Sequence, residues 1–256
     1  TISADSQRAV VAGIDDDTTN FTLTNSGTIQ GSCWAAPNKL AGTSQVCTSG
    51  RGYSAVYVKG SGAIITNEAD GILKADDYIL SVNASNSTIT NRGKIISDDT
   101  SGDDEEYAVN FSAGATGTNI HNHGTITTGK GTIRIQNSNN DDITLTNYSG
   151  GTITSYYRKS IASEYGVDGF TLNNNEGAII ETTGTSDGYG IFMDRNTNVT
   201  VVNDGTITSD VNALRCIDCV DVAFTNTGTI ESTDSDTGAA TIIRGATGTN
   251  TIINSG

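Results

Sequence analysis

The sequence predicts an all-β protein: a right-handed parallel β-helix with three strands in each coil and about nine to ten stacked coils. The first observation behind this prediction is a motif, Asn-x-Gly-x-Ile, clearest at Asn203 to Ile207 and Asn226 to Ile230. After the first interval its glycines recur every 22 to 31 residues. The second is composition, because 30 glycines, one proline and abundant Thr, Asn, Ser and Ile favour short strands and turns.

Each repeat contains three apolar segments. The first is rich in small and aromatic residues, as in Tyr189 to Met193, and the second directly precedes the motif, as in Val199 to Asn203. The third is the Gly-x-Ile segment itself. Three strands and three turns per repeat describe a parallel β-helix, in which each strand pairs with its equivalents one coil before and after.

The motif asparagine is predicted to point into the core. Phe21, Leu23 and Asn25 alternate along one strand, so all three side chains share one face. Stacked about 4.8 Å apart, such amides can each donate to the next and form an asparagine ladder. The following glycine is expected at a corner where the backbone is left-handed or crowded. The predicted ladder residues are Asn25, Asn91, Asn122, Asn147, Asn175, Asn203 and Asn226.

Residues 1–256 are predicted to form a single β-helix domain, expected to be a segment of a longer repeat protein. The long first interval accommodates a loop insertion, residues 31–52, which contains Cys33, Cys47 and the only tryptophan, Trp34. A disulfide between these cysteines would brace the loop, and Trp34 is a candidate ligand contact. A loop that only covers a strand edge would look the same.

A second close pair of cysteines is formed by Cys216 and Cys219. A local disulfide in an exported protein is the preferred interpretation. Reduced structural thiols remain an alternative, as does redox or zinc chemistry, although neither a following helix nor a second cysteine pair supports it.

Two further stretches break the repeat. In the first, Tyr156, Tyr157 and Arg158 resemble a ligand-contact patch, although the same stretch also fits an irregular first strand of its coil. In the second, the clustered carboxylates are candidate calcium ligands, with plain solvation of a turn as the alternative. These carboxylates are Asp98, Asp99, Asp103 and Asp104. No other cofactor is expected.

Charge and motif content exclude several functions. A net charge of −15 argues against nucleic-acid binding, and no apolar run is long enough to span a membrane as a helix. No catalytic residues are predicted: His121 and His123 should point outward, and no nucleophile elbow, P-loop or zincin motif occurs. Asp194 and Arg195, with Arg215 on the next coil, form the only set suited to polysaccharide chemistry.

Asn25 to Ile29 spells Asn-Ser-Gly-Thr-Ile, and in these tandem motifs the chain resembles the passenger regions of bacterial autotransporters, the type V secretion proteins. The resemblance implies export across the outer membrane to the extracellular space or cell surface. It implies a non-enzymatic stalk or adhesin that binds a host or bacterial surface protein or glycan. The family's translocator barrel and the Gly-Asp-Ser-Gly protease signature are both missing from this sequence.

Two alternatives remain open. The chain could be a self-associating extracellular filament subunit that stacks β-helices end to end. It could also be a β-helical polysaccharide lyase or hydrolase, since the fold alone does not assign an activity.

Overall fold

The protein, described by a computed structural model, is an all-β solenoid of three parallel sheets, as the repeat predicts. The structure describes residues 2–3, 9–12, 18–31, 54–75, 78–97, 107–112, 114–184, 188–233 and 240–256, and these contain no α-helix. Within a coil the chain passes through sheet 1, sheet 2 and sheet 3 in turn. Every strand pairs in parallel with its equivalents in neighbouring coils, because each coil repeats the same path one strand spacing further on.

Sheet 1 contains the aromatic-rich strand of each coil. Its strands are Val10–Ala12, Val56–Ser61, Leu80–Ser85, Tyr107–Phe111, Gly131–Gln136, Ile161–Glu164, Tyr189–Asp194, Asn212–Ile217 and Thr241–Arg244. The short strand Thr18–Thr19 also pairs with Val56–Ser61.

Sheet 2 contains the strand that ends at the motif asparagine. Its strands are Thr22–Asn25, Ile64–Asn67, Thr88–Asn91, Asn119–Asn122, Thr144–Asn147, Thr171–Asn174, Thr197–Asn203, Val220–Asn226 and Thr251–Asn254.

Sheet 3 contains the strand that follows the motif glycine. Its strands are Ile2–Ser3, Thr28–Gln30, Ile72–Lys74, Lys94–Ile96, Thr125–Thr128, Thr152–Ser155, Ile179–Thr182, Thr206–Ser209 and Thr229–Ser232.

The number of coils is slightly smaller than predicted. Coils with a strand in all three sheets run from Val10 to Ser232, and the chain makes about seven turns between the first and the last of them. The prediction of nine to ten coils counted every motif as a full coil. It therefore included the partial coil that contains Thr251–Asn254.

The core is built from columns of apolar side chains that occupy the same position in successive coils. In sheet 3, Ile126, Ile153 and Ile180 stack in register and are at most 1% exposed. Burying a side chain of this size stabilises a fold by roughly 1.5–3 kcal/mol. A narrow core repeated in every coil therefore compensates for the low apolar content of the chain, which is 35%.

The turn between sheet 1 and sheet 2 contains a column of residues in the left-handed backbone conformation, which the motif did not predict. At one register position of this turn, the residue in each described coil takes positive φ, and this column is made only of glycine, asparagine and aspartate, the residues that tolerate this conformation best. Its members are Asn20, Gly62, Asn86, Gly117, Asp142, Gly169, Asn198, Asp221 and Gly248. At Gly117 a Cβ would also lie 2.6 Å from Asn86 Oδ1, so the stacked side chain occupies that space.

Candidate functional site

The asparagine ladder exists, with one member different from the prediction. Eight Nδ2–Oδ1 hydrogen bonds of 2.6–3.0 Å join successive coils along the inner edge of sheet 2. Its members are Asn25, Asn67, Asn91, Asn122, Asn147, Asn174, Asn203, Asn226 and Asn254. Each amide between the two ends both accepts and donates, so these buried polar groups are satisfied.

The prediction of Asn175 as a ladder residue was wrong. Asn174 pairs in register with Asn147 and Asn203. Asn175 already belongs to the turn that follows, where its carbonyl accepts from Ala178 N–H, while its own N–H donates to the Asn147 carbonyl of the preceding coil. The motif there was read as Asn175-x-Gly177-x-Ile179. The turn is in fact the longer form also found after Asn147, because Ala178 takes the column of Gly151.

One of the two predicted disulfides lies within the described part of the chain. Cys216 and Cys219 are bonded to each other, with their Cα atoms 6.1 Å apart, and both side chains are buried. Cys33 and Cys47, together with Trp34 and the rest of the 31–52 insertion, lie outside the described residues. The candidate calcium ligands Asp98, Asp99, Asp103 and Asp104 also lie outside them.

Acidic side chains in the described turns act as hydrogen-bond acceptors. Asp168 Oδ1 accepts from Thr197 Oγ1 at 2.7 Å and from Asn198 Nδ2 at 2.8 Å. These bonds favour the carboxylate and hold the pKa of Asp168 below its ordinary value. Among the described residues, no group of three or more His, Cys, Asp and Glu side chains is placed to hold a metal ion.

The predicted contact patch Tyr156, Tyr157 and Arg158 forms a turn rather than a strand. The first strand of this coil, Ile161–Glu164, begins after the patch and lies within the same variable stretch, Ser155 to Tyr165, so the stretch contains the predicted first strand while the patch itself precedes it. Tyr156 is 53% exposed and Tyr157 is 46% exposed, and both rings therefore stand on the surface. They remain available for contact with another molecule.

His121 lies on the outer side of sheet 2 and His123 lies in the turn directly after it; both face outward, as strand alternation predicts, and Tyr148 joins them. The Tyr148 hydroxyl and His121 Nδ1 are 3.2 Å apart, and the Tyr148 ring stacks on His123 with ring centroids 4.0 Å apart. Arg92, which pairs with Glu68 at 3.6 Å, lies one coil earlier in the same turn column as His123. This arrangement holds the imidazole of His123 beside a cation.

We expect the pKa of His123 to lie below 6.5, because burial, then the charge of Arg92, then His121 all disfavour its protonated form. Its stabilising contribution is therefore present above pH 6.5 and is lost as the pH falls through the lowered pKa. An NMR titration of the imidazole protons measures this value. Arg92→Gln should raise it, whereas Arg195→Gln, on a different turn, should not. A His123 pKa at or above 6.5 would contradict the expectation.

A strip of cationic and aromatic side chains runs along the outer face of sheet 1, and we call it the cation–aromatic strip. Arg134 Cζ lies 5.2 Å from the Tyr107 ring centroid, Lys159 Nζ lies 4.2 Å from that of Phe192, and Arg215 Cζ lies 5.0 Å from that of Tyr189. The strip consists of Tyr107, Arg134, Lys159, Glu164, Tyr189, Phe192 and Arg215. It crosses consecutive coils along the solenoid axis.

Glu164 is the carboxylate of the strip and forms ion pairs with two cations. Its Oε2 accepts from Arg134 Nε at 3.1 Å and its Oε1 accepts from Lys159 Nζ at 2.6 Å. The Arg134 and Glu164 side chains are only 8% and 7% exposed. Charges buried to this extent must be paired, and Glu164 provides a partner for both cations.

Arg215 has a different environment. One of its Nη atoms donates to the Tyr189 hydroxyl. Its Nε is buried and has no hydrogen-bond partner among the described residues. A buried N–H without an acceptor costs about 1–3 kcal/mol, so this atom is the feature of the strip that calls for a ligand.

The sequence singled out Asp194, Arg195 and Arg215 as the one set suited to polysaccharide chemistry, and the structure separates them. Asp194 Oδ2 accepts from Arg195 Nε at 3.1 Å and Nη2 at 2.9 Å, which pairs these two residues with each other. Arg215 instead extends across its own sheet towards Tyr189. The three side chains therefore do not form one catalytic group.

Sequence reasoning missed the cation–aromatic strip. A usable signal was present, because Arg134, Phe192 and Arg215 occupy the same outward column of sheet 1. The contacts themselves join residues in different coils, so they could be found only after the coils were aligned.

The fold places the protein among three-stranded parallel β-solenoids. Comparison with models of protein families, with curated proteins and with solved structures found no match. The described residues contain no helix that is both long and apolar enough to cross a membrane.

Proposed function

We propose that this protein is a non-enzymatic extracellular structural and adhesive protein, a β-helical stalk or adhesin displayed at the bacterial surface. The observation that carries the proposal is the unbroken ladder from Asn25 to Asn254, which ties successive coils together along one edge. At about 4.8 Å per coil, this part of the molecule is a rod roughly 40 Å long. A rod of this kind holds binding groups away from the surface that bears it.

Inward side chains stay apolar from coil to coil whereas outward side chains change, and this difference supports a binding role. In sheet 2 the inward column repeats Ile, Leu and Val, while the outward column changes from Thr90 to His121 to Thr146 to Asn173. The inner positions maintain the fold, and the outer ones can vary without disturbing it. The Cys216–Cys219 disulfide is consistent with an oxidising, extracellular setting.

A bead assay tests the proposal. Polystyrene beads coated with the purified chain are expected to attach to host-cell monolayers or to bacterial cells more than beads coated with serum albumin, another acidic protein. A polysaccharide panel incubated with the same protein should release no reducing or unsaturated sugar.

Each alternative has its own outcome in this design. Release of sugar would replace the proposal with a carbohydrate-active enzyme. End-to-end fibres in electron micrographs at micromolar protein would replace it with a filament subunit. Coated beads that attach no better than the albumin beads, with neither sugar release nor fibres, would overturn the adhesive role.

A further inference from the structure

The cation–aromatic strip contains the same arrangement twice, three coils apart. Arg134 and Arg215 occupy the same column of sheet 1, and each guanidinium lies against a tyrosine ring from the preceding coil. Tyr107 and Tyr189 occupy equivalent positions. Each lies two residues before an apolar residue, Val109 or Ile191, that pairs in register with the residue preceding the arginine. The two arginines can therefore be compared position by position.

The two sites differ in the residue that the following coil contributes. Arg134 pairs in register with Ala162, and two residues later Glu164 supplies the carboxylate that accepts from Arg134 Nε. Arg215 pairs in register with Ile242, and two residues later the chain has Arg244. The position that holds a carboxylate beside Arg134 thus holds a second cation beside Arg215.

This substitution explains why Arg215 Nε is buried without an acceptor among the described residues. The site keeps the tyrosine platform and the guanidinium but lacks the anion. Arg244 is exposed and adds positive charge, in a chain whose net charge is −15. An external carboxylate would complete the arrangement that Glu164 completes at Arg134.

We propose that Arg215 and Arg244 bind the carboxylates of an acidic polysaccharide that lies along the outer face of sheet 1. The inference rests on the adhesive function proposed above and names the class of ligand. Guanidinium groups match planar carboxylates through paired N–H donors. Successive uronic acid residues along one chain would meet Arg215 and, in the adjacent coil, Arg244.

The geometry favours a polysaccharide over an acidic peptide. An extended peptide usually joins a sheet by pairing with the backbone of an edge strand. Strand Asn212–Ile217, which carries Arg215, already pairs on one side with Tyr189–Asp194 and on the other with Thr241–Arg244. The binding groups here are side chains on a sheet face, with the half-buried ring of Phe192 beside them to contact the apolar faces of sugar rings.

Calorimetric titration of the whole chain with sodium polygalacturonate tests the proposal. Neutral dextran, dextran sulfate and polyglutamate serve as comparison ligands. We expect polygalacturonate to bind, dextran not to bind, and binding to weaken with added salt because the contacts are ionic. Arg215→Gln should weaken binding by about tenfold to a hundredfold, the range for loss of a charge-assisted bond.

Arg244→Glu is the decisive variant, because it introduces a carboxylate at the position equivalent to Glu164. The new carboxylate should pair with Arg215 and weaken polygalacturonate binding by at least about tenfold. The variant should melt at a temperature no lower than that of the unaltered chain. Arg92→Gln, an arginine on the turn after sheet 2, is the matched control and should bind as the unaltered chain does.

Failure of this inference can be separated from failure of the adhesive function. If beads attach but polygalacturonate does not bind, or binds both variants as tightly as it binds the unaltered chain, the polysaccharide site is overturned and the adhesin remains. Stronger binding of dextran sulfate would reassign the site to sulfated glycans, and stronger binding of polyglutamate would reassign it to acidic peptides; either result overturns the proposal. If the beads do not attach although polygalacturonate binds and both variants weaken it, the site stands and the adhesive role fails.

Discussion

Replacing Asn174 by leucine is expected to lower the free energy of unfolding by about 2–5 kcal/mol, since two buried ladder neighbours each lose a hydrogen-bond partner. Asn174 Oδ1 accepts from Asn147 Nδ2 at 3.0 Å, and its Nδ2 donates to Asn203 Oδ1 at 2.7 Å and to the Thr206 carbonyl at 3.1 Å. Leucine has nearly the same size but offers neither donor nor acceptor. The measurement is chemical denaturation followed by circular dichroism.

Asn175→Leu is the matched control, because it makes the same change at the adjacent residue. The Asn175 side chain is only partly buried and lies outside the ladder, so its replacement should change the free energy of unfolding by less than about 0.5 kcal/mol. Equal losses at the two positions would contradict the register that the structure assigns. A larger loss at Asn175 would restore the ladder predicted from the motif.

Gly124→Ala is expected to cost about 3 kcal/mol, at the upper end of the range for overpacking a tight site. A Cβ on Gly124 would lie 2.2 Å from the carbonyl oxygen of Gly93 and 2.7 Å from the carbonyl carbon of Arg92. Both are backbone atoms of the preceding coil, so relief requires the coils to move apart. The motif glycine is thus needed at this corner because another backbone passes close to it.

Gly27→Ala tests the same motif position without the crowding. Among the described residues, nothing lies within 4 Å of a Cβ placed on Gly27. Alanine there should be neutral or slightly stabilising, because it restricts the unfolded chain. Denaturation of the two variants side by side separates crowding from any general intolerance of alanine in the motif. Similar losses at both would mean that the corner requires glycine for another reason.

Ala178 shows how the fold accommodates a methyl group in this glycine column. It takes the place of the motif glycine in a turn with two more residues than the turn at Gly124, and its side chain is only 1% exposed. Turn length alone does not make this room, because in the equally long turn at Gly151 a Cβ would lie 2.5 Å from Asn147 Oδ1. This is also the coil in which the motif gave the wrong asparagine, because the longer turn places Asn174 rather than Asn175 in the ladder.

Much of the fold was predictable because its causes are local. Alternation of Phe21, Leu23 and Asn25 sets the inward side of a strand, the recurrence of the motif sets the length of a coil, and the three apolar segments in each repeat set the number of strands per coil. Leu172 and Asn174 follow the same alternation, and attention to parity rather than to motif spelling would have placed the ladder correctly.

The sequence by itself determined the three-stranded solenoid, the inward asparagines and the Cys216–Cys219 pairing, since strand alternation and close spacing act over a few residues. Only the tertiary structure decided which outward side chains meet. Turns of unequal length make sequence spacing a poor guide to register between coils. Residues as distant in sequence as Arg134 and Glu164 become neighbours once backbone pairing fixes that register. For the same reason, the exchange of a carboxylate for Arg244 beside Arg215 became visible only after the coils were stacked.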